Sequence, residues 1–153
     1  MNDPLNAGAI CNRIVTCAER RMPLVQAARL MRDHHVGSHV VVDETSSGRL
    51  VAGMLTDRDI VTAVVAKDVD PAGLVVEDVM SREVATALAA DSVLDLLGTM
   101  RRKGLRRLPV VTPAGLLAGL VTLDDLLALM AEQLRTMALA IEAGQRREAK
   151  ARP

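Results

Sequence analysis

Thr56 and Asp59 in GMLTDRDI (53–60), and Thr122 and Asp125 in GLVTLDDL (119–126), repeat one frame: glycine, two apolar residues, threonine, and an aspartate three residues on. If each threonine opens a helix, the unpaired N–H groups there favour an anion and the hydroxyl adds a donor, so a phosphate can dock. A carboxylate one turn in accepts two hydrogen bonds, which suits paired ribose hydroxyls. The same spacing also writes a helix capping box, although aspartate reaches back less well than glutamate or glutamine. Gly53 and Gly119, three residues earlier, fit close approach of a ligand or of a neighbouring backbone, and equally a tight sheet contact.

The two frames differ inside. Asp57 and Arg58 fill the first, Leu123 and Asp124 the second, so only the first offers a cation beside the docked phosphate. Arg106 and Arg107 occupy the place that Gly37 and Ser38 hold sixty-nine residues earlier. Should the two halves of the chain pack against one another, one of these arginines completes a phosphate site with Thr56 or Thr122, and one fully equipped site is expected rather than two. The bland reading of Arg101, Arg102, Lys103, Arg106 and Arg107 is a solvated helix end in a favourable dipole field.

The frames belong to a longer repeat. RIVTCA (13–18) aligns with REVATA (82–87), MRDHHV (31–36) with MRRKGL (100–105), and Val41–Val42 with Val110–Val111. Past that point DETSSGRLVAG (43–53) is three residues longer than TPAGLLAG (112–119), a difference that belongs in a hairpin loop. Leu24, Ala27, Ala28 and Met31 give an amphipathic helical stripe, and Val93, Leu96, Leu97 and Met100 give it again. Pro23 suits a first helical position, and Asp91 or Ser92 an N-cap.

Strands are expected at 39–43, 50–55, 107–111 and 116–121, with Pro109 at a strand edge or start. Helices follow from Asp57 to about Lys67 and from Leu123 onward. Each unit thus reads strand, helix, strand, strand, helix: repeat 1 over 8–67, a linker over 68–75, repeat 2 over 76–130 opening with a helical turn at VEDVM (76–80). A C-terminal extension covers 131–153. Its stripe of Leu123, Leu126, Leu127, Met130, Leu134, Met137, Ala138 and Ile141 is longer than one half-domain needs, and predicts a partner surface and a homodimer. The tail QRREAKARP (145–153) is expected to fray.

Composition narrows the classes. Half of the 153 residues are hydrophobic and a quarter charged, as in globular proteins. The absence of Phe, Tyr and Trp removes any stacking platform for a base, so a bound adenine must lie between aliphatic side chains. Nineteen basic and nineteen acidic residues cancel, which argues against bulk nucleic-acid binding. No uncharged apolar run approaches membrane-spanning length and no basic-then-apolar leader opens the chain, so a soluble, cytoplasmic protein is expected. Cys11 and Cys17, with His34, His35 and His39, lack the spacing of a metal site, and no metal is assigned. No nucleophile elbow, Walker loop or zinc-protease motif is present.

VEDVM before the second unit, VGSHVVVD and LRRLPVV in the middles, and GMLTDRDIV and GLVTLDDLL at the ends resemble the tandem CBS domain, named for cystathionine beta-synthase, over about residues 8–130. The resemblance implies two βαββα units packed by their sheets about a pseudo-twofold axis, two clefts between them, and dimerisation through helices. It also implies a sensor rather than an enzyme, with AMP, ADP or ATP as the leading ligand and NAD, S-adenosylmethionine or cyclic di-AMP as alternatives. Such a sensor has no cofactor of its own and passes its state to a downstream protein. Thr56 and Thr122 are thereby assigned to phosphate, Asp59 and Asp125 to ribose. Asp57, Arg58, Asp124, Arg106, Arg107, Ser38, His39, Gly53 and Gly119 complete the expected nucleotide contacts. A dimerisation or adaptor module without ligand is the competing reading.

Overall fold

A computed structural model describes residues 5–152. The order is α1 (Ala7–Ile10), β1 (Cys17–Glu19), α2 (Leu24–His34), β2 (Ser38–Thr45), β3 (Gly48–Thr56), α3 (Asp57–Ala63), then α4 (Val76–Val79), β4 (Ala87–Leu88), α5 (Val93–Lys103), β5 (Arg107–Val111), β6 (Leu117–Thr122) and α6 (Leu123–Ala151). The predicted βαββα succession is therefore present twice. Two three-stranded sheets, β1-β2-β3 and β4-β5-β6, each pair a parallel first strand with an antiparallel hairpin. They meet along β3 and β6, where Leu50 bridges Leu116 and the Val51 N–H donates to the Gly115 carbonyl at 3.2 Å.

The hydrophobic pattern builds two cores, one under each sheet. Leu24, Ala27 and Met31 of α2 pack on Val41 and Leu55 in the first. Leu96 and Met100 of α5 pack on Leu108, Val110 and Val121 in the second, together with Leu126 of α6. Ser92 caps α5 through a capping box with Asp95, which resolves the two candidates in its favour; Asp91 instead accepts from the Leu88 N–H. Pro23 is the N-cap of α2 rather than its first residue.

The short leading segments are exchanged between the repeats. The α1 N–H groups of Ala7 and Gly8 donate to the Asp91 and Ala89 carbonyls, and Ala7 is buried in the second core. Conversely, Val76 and Met80 of the α4 segment are buried in the first core, and the Val76 N–H donates to Met22 O at 2.9 Å. Asn12 bridges Leu120 while Ser81 bridges Met54, a matched pair that expresses the pseudo-twofold. Neither half completes its core alone, as expected for halves too small to be stable independently.

Several sequence expectations change. Helix α3 ends at Ala63, and a separate 3₁₀ turn, Val65–Lys67, replaces its predicted last turn. Pro109 is the third residue of the central strand β5, not an edge residue. It is tolerated because β4 begins pairing only at Val110; the bond made in the first repeat by the Val40 N–H to Thr16 O has no counterpart where proline lacks the donor. Helix α6 continues to Ala151 instead of fraying from 145, while the tail's last residue, Pro153, lies outside the described residues, as do the first four residues of the N-terminus. No helix among the described residues is long and apolar enough to cross a membrane.

Candidate functional site

Alternation along β2 and β5 decides which side chains reach the space between the repeats. Val41 points into the first core, so Ser38, Val40 and Val42 face the other way. In the second repeat Leu108 points into the core and Arg107 faces the sheet junction. Two clefts result, related by the pseudo-twofold. The first, about 220 Å³, brings Met54, Thr56 and Asp59 from repeat 1 together with Ser81, Glu83, Val84, Ala85, Leu105, Arg106 and Arg107. The second, about 260 Å³, is lined by Asn12, Ile14, Val15, Thr16, His35, Val36, Gly37, Ser38, Leu120 and Thr122, and again by Arg107.

The two Thr-x-x-Asp frames are capping boxes. At the first, the Asp59 N–H donates to Thr56 Oγ1 at 3.1 Å and the Thr56 N–H donates to Asp59 Oδ2 at 2.8 Å. At the second, Asp125 Oδ2 accepts from both the Thr122 N–H at 2.9 Å and the Thr122 hydroxyl at 2.7 Å. Capping and ligand contact are compatible, because each cap uses only Oδ2 of the carboxylate. Asp59 Oδ1 takes no hydrogen bond from the described residues, and Asp59 lines the first cleft. Asp125 is exposed and lies outside the lining of the second cleft, which Leu120 and Thr122 enter from its frame.

The remaining expected contacts separate. Arg106 and Arg107 both line the first cleft with Thr56, and Arg107 also lines the second with Thr122, where the sequence offered either arginine to either threonine. Arg106 is 3.5 Å from Asp124, an exposed pair that screens both charges. Asp57 and Arg58 are exposed and line neither cleft; the Asp57 N–H donates to Gly37 O, and Asp57 Oδ1 accepts from the Arg58 N–H. Ser38 lines the second cleft.

His39 is fully buried on the core face, its Nε2 2.9 Å from Ala27 O. It therefore packs α2 on β2 and cannot meet a ligand, since its neighbour Ser38 takes the cleft side. Gly53 and Gly119 likewise meet protein. A Cβ on Gly53 would stand 2.7 Å from Ser81 O, and one on Gly119 2.5 Å from the Cys11 sulfur and 2.9 Å from Asn12 O. Bulges that add Ala52 and Ala118 to the hairpins place both glycines against the exchanged segments. Glu83, Val84, Ala85 and Leu105 were missed as cleft residues. The repeat alignment does mark them, being the counterparts of Ile14, Val15, Thr16 and Val36 in the other cleft.

Among the described residues no group of three or more His, Cys, Asp or Glu side chains comes together to hold a metal. Cys11 and Cys17 are free thiols, and burial pushes the Cys17 thiol up despite the opposing Arg49 guanidinium.

Known proteins share this arrangement. The chain is 34% identical to Hypoxic response protein 1 of Mycobacterium tuberculosis over 81% of its own length and 80% of that protein's. It is also 34% identical to an uncharacterised protein of Methanopyrus kandleri, over 80% of the chain but only 61% of that longer protein. The crystal structure of Hypoxic Response Protein I with two coordinated zinc ions superposes with a TM-score of 0.70 at 31% identity, covering 80% of this chain and 97% of that one. A CBS domain pair in complex with 5′-methylthioadenosine and S-adenosyl-L-methionine has a TM-score of 0.73 at 23% identity, with 84% and 97% covered, which shows the fold alone. The CBS-domain model matches twice, over residues 7–66 and 76–132, so that the chain belongs to the CBS-domain family and carries its two domains as one pair.

Proposed function

We propose that this CBS pair is a regulatory module, not an enzyme, and that it binds an adenosine-containing nucleotide of the AMP, ADP or ATP class in the first cleft. One observation carries the reading: Thr56 and Asp59 of repeat 1 face Arg106 and Arg107 of repeat 2 across a single cleft. The arginines take phosphate and Asp59 Oδ1 takes a ribose hydroxyl, as a carboxylate does in dinucleotide-binding folds. Val84, Ala85 and Leu105 supply the aliphatic walls that an adenine needs in a chain without aromatic residues. The adenosine ligands of the structural neighbour keep S-adenosylmethionine among the alternatives, with its single carboxylate for an arginine, whereas a nucleotide phosphate uses both arginines.

Binding is read out through the assembly. From Met130 to the end of α6 every described residue is exposed, while Leu127, Met130, Leu134, Met137 and Ile141 recur at spacings of three and four. That is the seam of a two-helix coiled coil, and a second copy of the chain covers it in this reading. The same stripe favours the competing function, a dimerisation or adaptor module that binds no nucleotide.

Dye-monitored thermal unfolding against AMP, ADP, ATP, NAD and S-adenosylmethionine separates the two. A ligand at about 100 times its Kd stabilises by roughly 2.7 kcal/mol, or several degrees at this size. A shift with one ligand that Asp59→Ala abolishes supports the sensor. A flat panel from a chain free of copurified nucleotide supports the adaptor.

A further inference from the structure

Arg107 is the one residue among the described residues that lines both clefts. Its backbone pairs with Thr122 at the second cleft, and its Nη2 lies 3.3 Å from where a Gly37 Cβ would stand, while the same residue lines the first cleft together with Thr56. It makes no hydrogen bond or ion pair among the described residues, although Asp57 Oδ2 approaches the same point at 3.1 Å. A half-buried, unpaired guanidinium at the junction is free to turn either way.

The charges of the two linings are unequal. The first cleft holds Arg106 and Arg107 with Asp59 and Glu83; in the second, Arg107 is the only formal charge, beside His35. At the positions that give the first cleft its arginines, the second has Gly37 and Ser38. A phosphate in the second cleft therefore has no guanidinium except one that the first cleft also uses.

We propose that the two clefts compete for Arg107, so that a phosphate-bearing ligand in one lowers the affinity of the other for phosphate. The inference rests on the nucleotide reading above and adds regulation to it: the pair is a one-phosphate device whose second cleft is open to phosphate only while the first is empty. Coupling of this kind is reciprocal. It acts on phosphate alone, so adenosine, which needs no guanidinium, fills the clefts independently.

Site-resolved NMR of the full chain tests it, with the Thr56 and Thr122 amides reporting the first and second clefts during titration with AMP and with adenosine. Asp59→Ala and, separately, Met54→Trp disable the first cleft, one by removing the ribose contact and one by filling the space. In either variant the Thr122 amide is expected to titrate with AMP at about fivefold or more lower concentration than in the wild type with its first cleft saturated. Adenosine shows no such gain, and adding Arg107→Ala removes it. Unchanged AMP affinity at Thr122 in both variants, or a gain that survives Arg107→Ala, overturns the competition. AMP that moves neither amide in the wild type overturns the nucleotide reading and the competition with it, an outcome visible before any variant is made.

Discussion

The carbonyl oxygen of Ser81 lies 2.7 Å from the position a Cβ on Gly53 would take, and Asn12 O lies 2.9 Å from the same position on Gly119. The repeated glycine is thus explained by the exchange of leading segments between the repeats. Each glycine lets the other repeat's chain pair beside its hairpin, as Met54 does with Ser81 and Leu120 with Asn12. Gly53→Ala and Gly119→Ala should each cost about 1–3 kcal/mol, because the obstacle includes backbone that cannot rotate away. Gly144→Ala, in α6 with nothing within 4 Å, should instead strengthen its helix by about 1 kcal/mol. Urea melts followed by far-ultraviolet circular dichroism measure all three, and equal effects at positions 53 and 144 would refute the packing argument.

Asp59 and Asp125 make the same cap but differ in what else they reach. Asp59→Ala and Asp125→Ala should lose similar stability, on the order of 1 kcal/mol for each box. Only Asp59→Ala should lose nucleotide affinity, by roughly tenfold or more, the worth of a hydrogen bond to a charged group. Calorimetric titration beside thermal melts separates the two effects. Equal affinity losses would move the ribose contact to both carboxylates.

Much of this architecture is legible in the sequence because periodicity and the repeat constrain each other. An insertion of three residues between aligned frames locates the hairpin, and the helical stripes of α2 and α5 fix both cores. What the sequence leaves open is which face each strand residue takes once two sheets share a junction. His39 sits beside Ser38 at the start of β2 and the family resemblance places both at the ligand, yet a one-residue step turns His39 into the core, where Leu108 is its counterpart. The α4 turn is legible at VEDVM, but α1 and the exchange of both segments between the repeats are invisible to pattern reading, since a four-residue helix carries no period and their partners are remote in sequence.

Acid should weaken the first repeat at a specific place. Arg20 holds Asp43 by two hydrogen bonds, Nε to Oδ1 at 2.7 Å and Nη2 to Oδ2 at 2.9 Å, and this pairing keeps the Asp43 carboxyl below its ordinary range. A carboxyl depressed in the folded state contributes stability at pH above its unfolded value, about 4, and loses it as pH falls through the lower folded value. Asp43→Asn should therefore melt lower than the wild type near neutral pH, with the gap closing below about pH 4. A gap constant from neutral pH to about pH 3 would show that the ion pair contributes nothing.

Helix α6 offers the most direct test of assembly. Its first two turns bury Leu126, but past Leu129 every described residue of the helix is exposed, and at 1.5 Å per residue that part runs for about 33 Å. Leu134 is 67% exposed and Met137 63%, too much apolar surface on one face to be left to water in a helix this long. Leu134→Glu with Met137→Glu, or truncation after Ala131, should convert a species of about twice 16.4 kDa to a monomer in sedimentation velocity, while circular dichroism shows both cores still folded. Because the removed segment contacts neither core, the melting temperature of the dilute monomer should match that of the parent chain at equally low concentration. A dimer that survives both changes would place the subunit contact on the helices of the CBS pair itself and leave the α6 seam to a different protein.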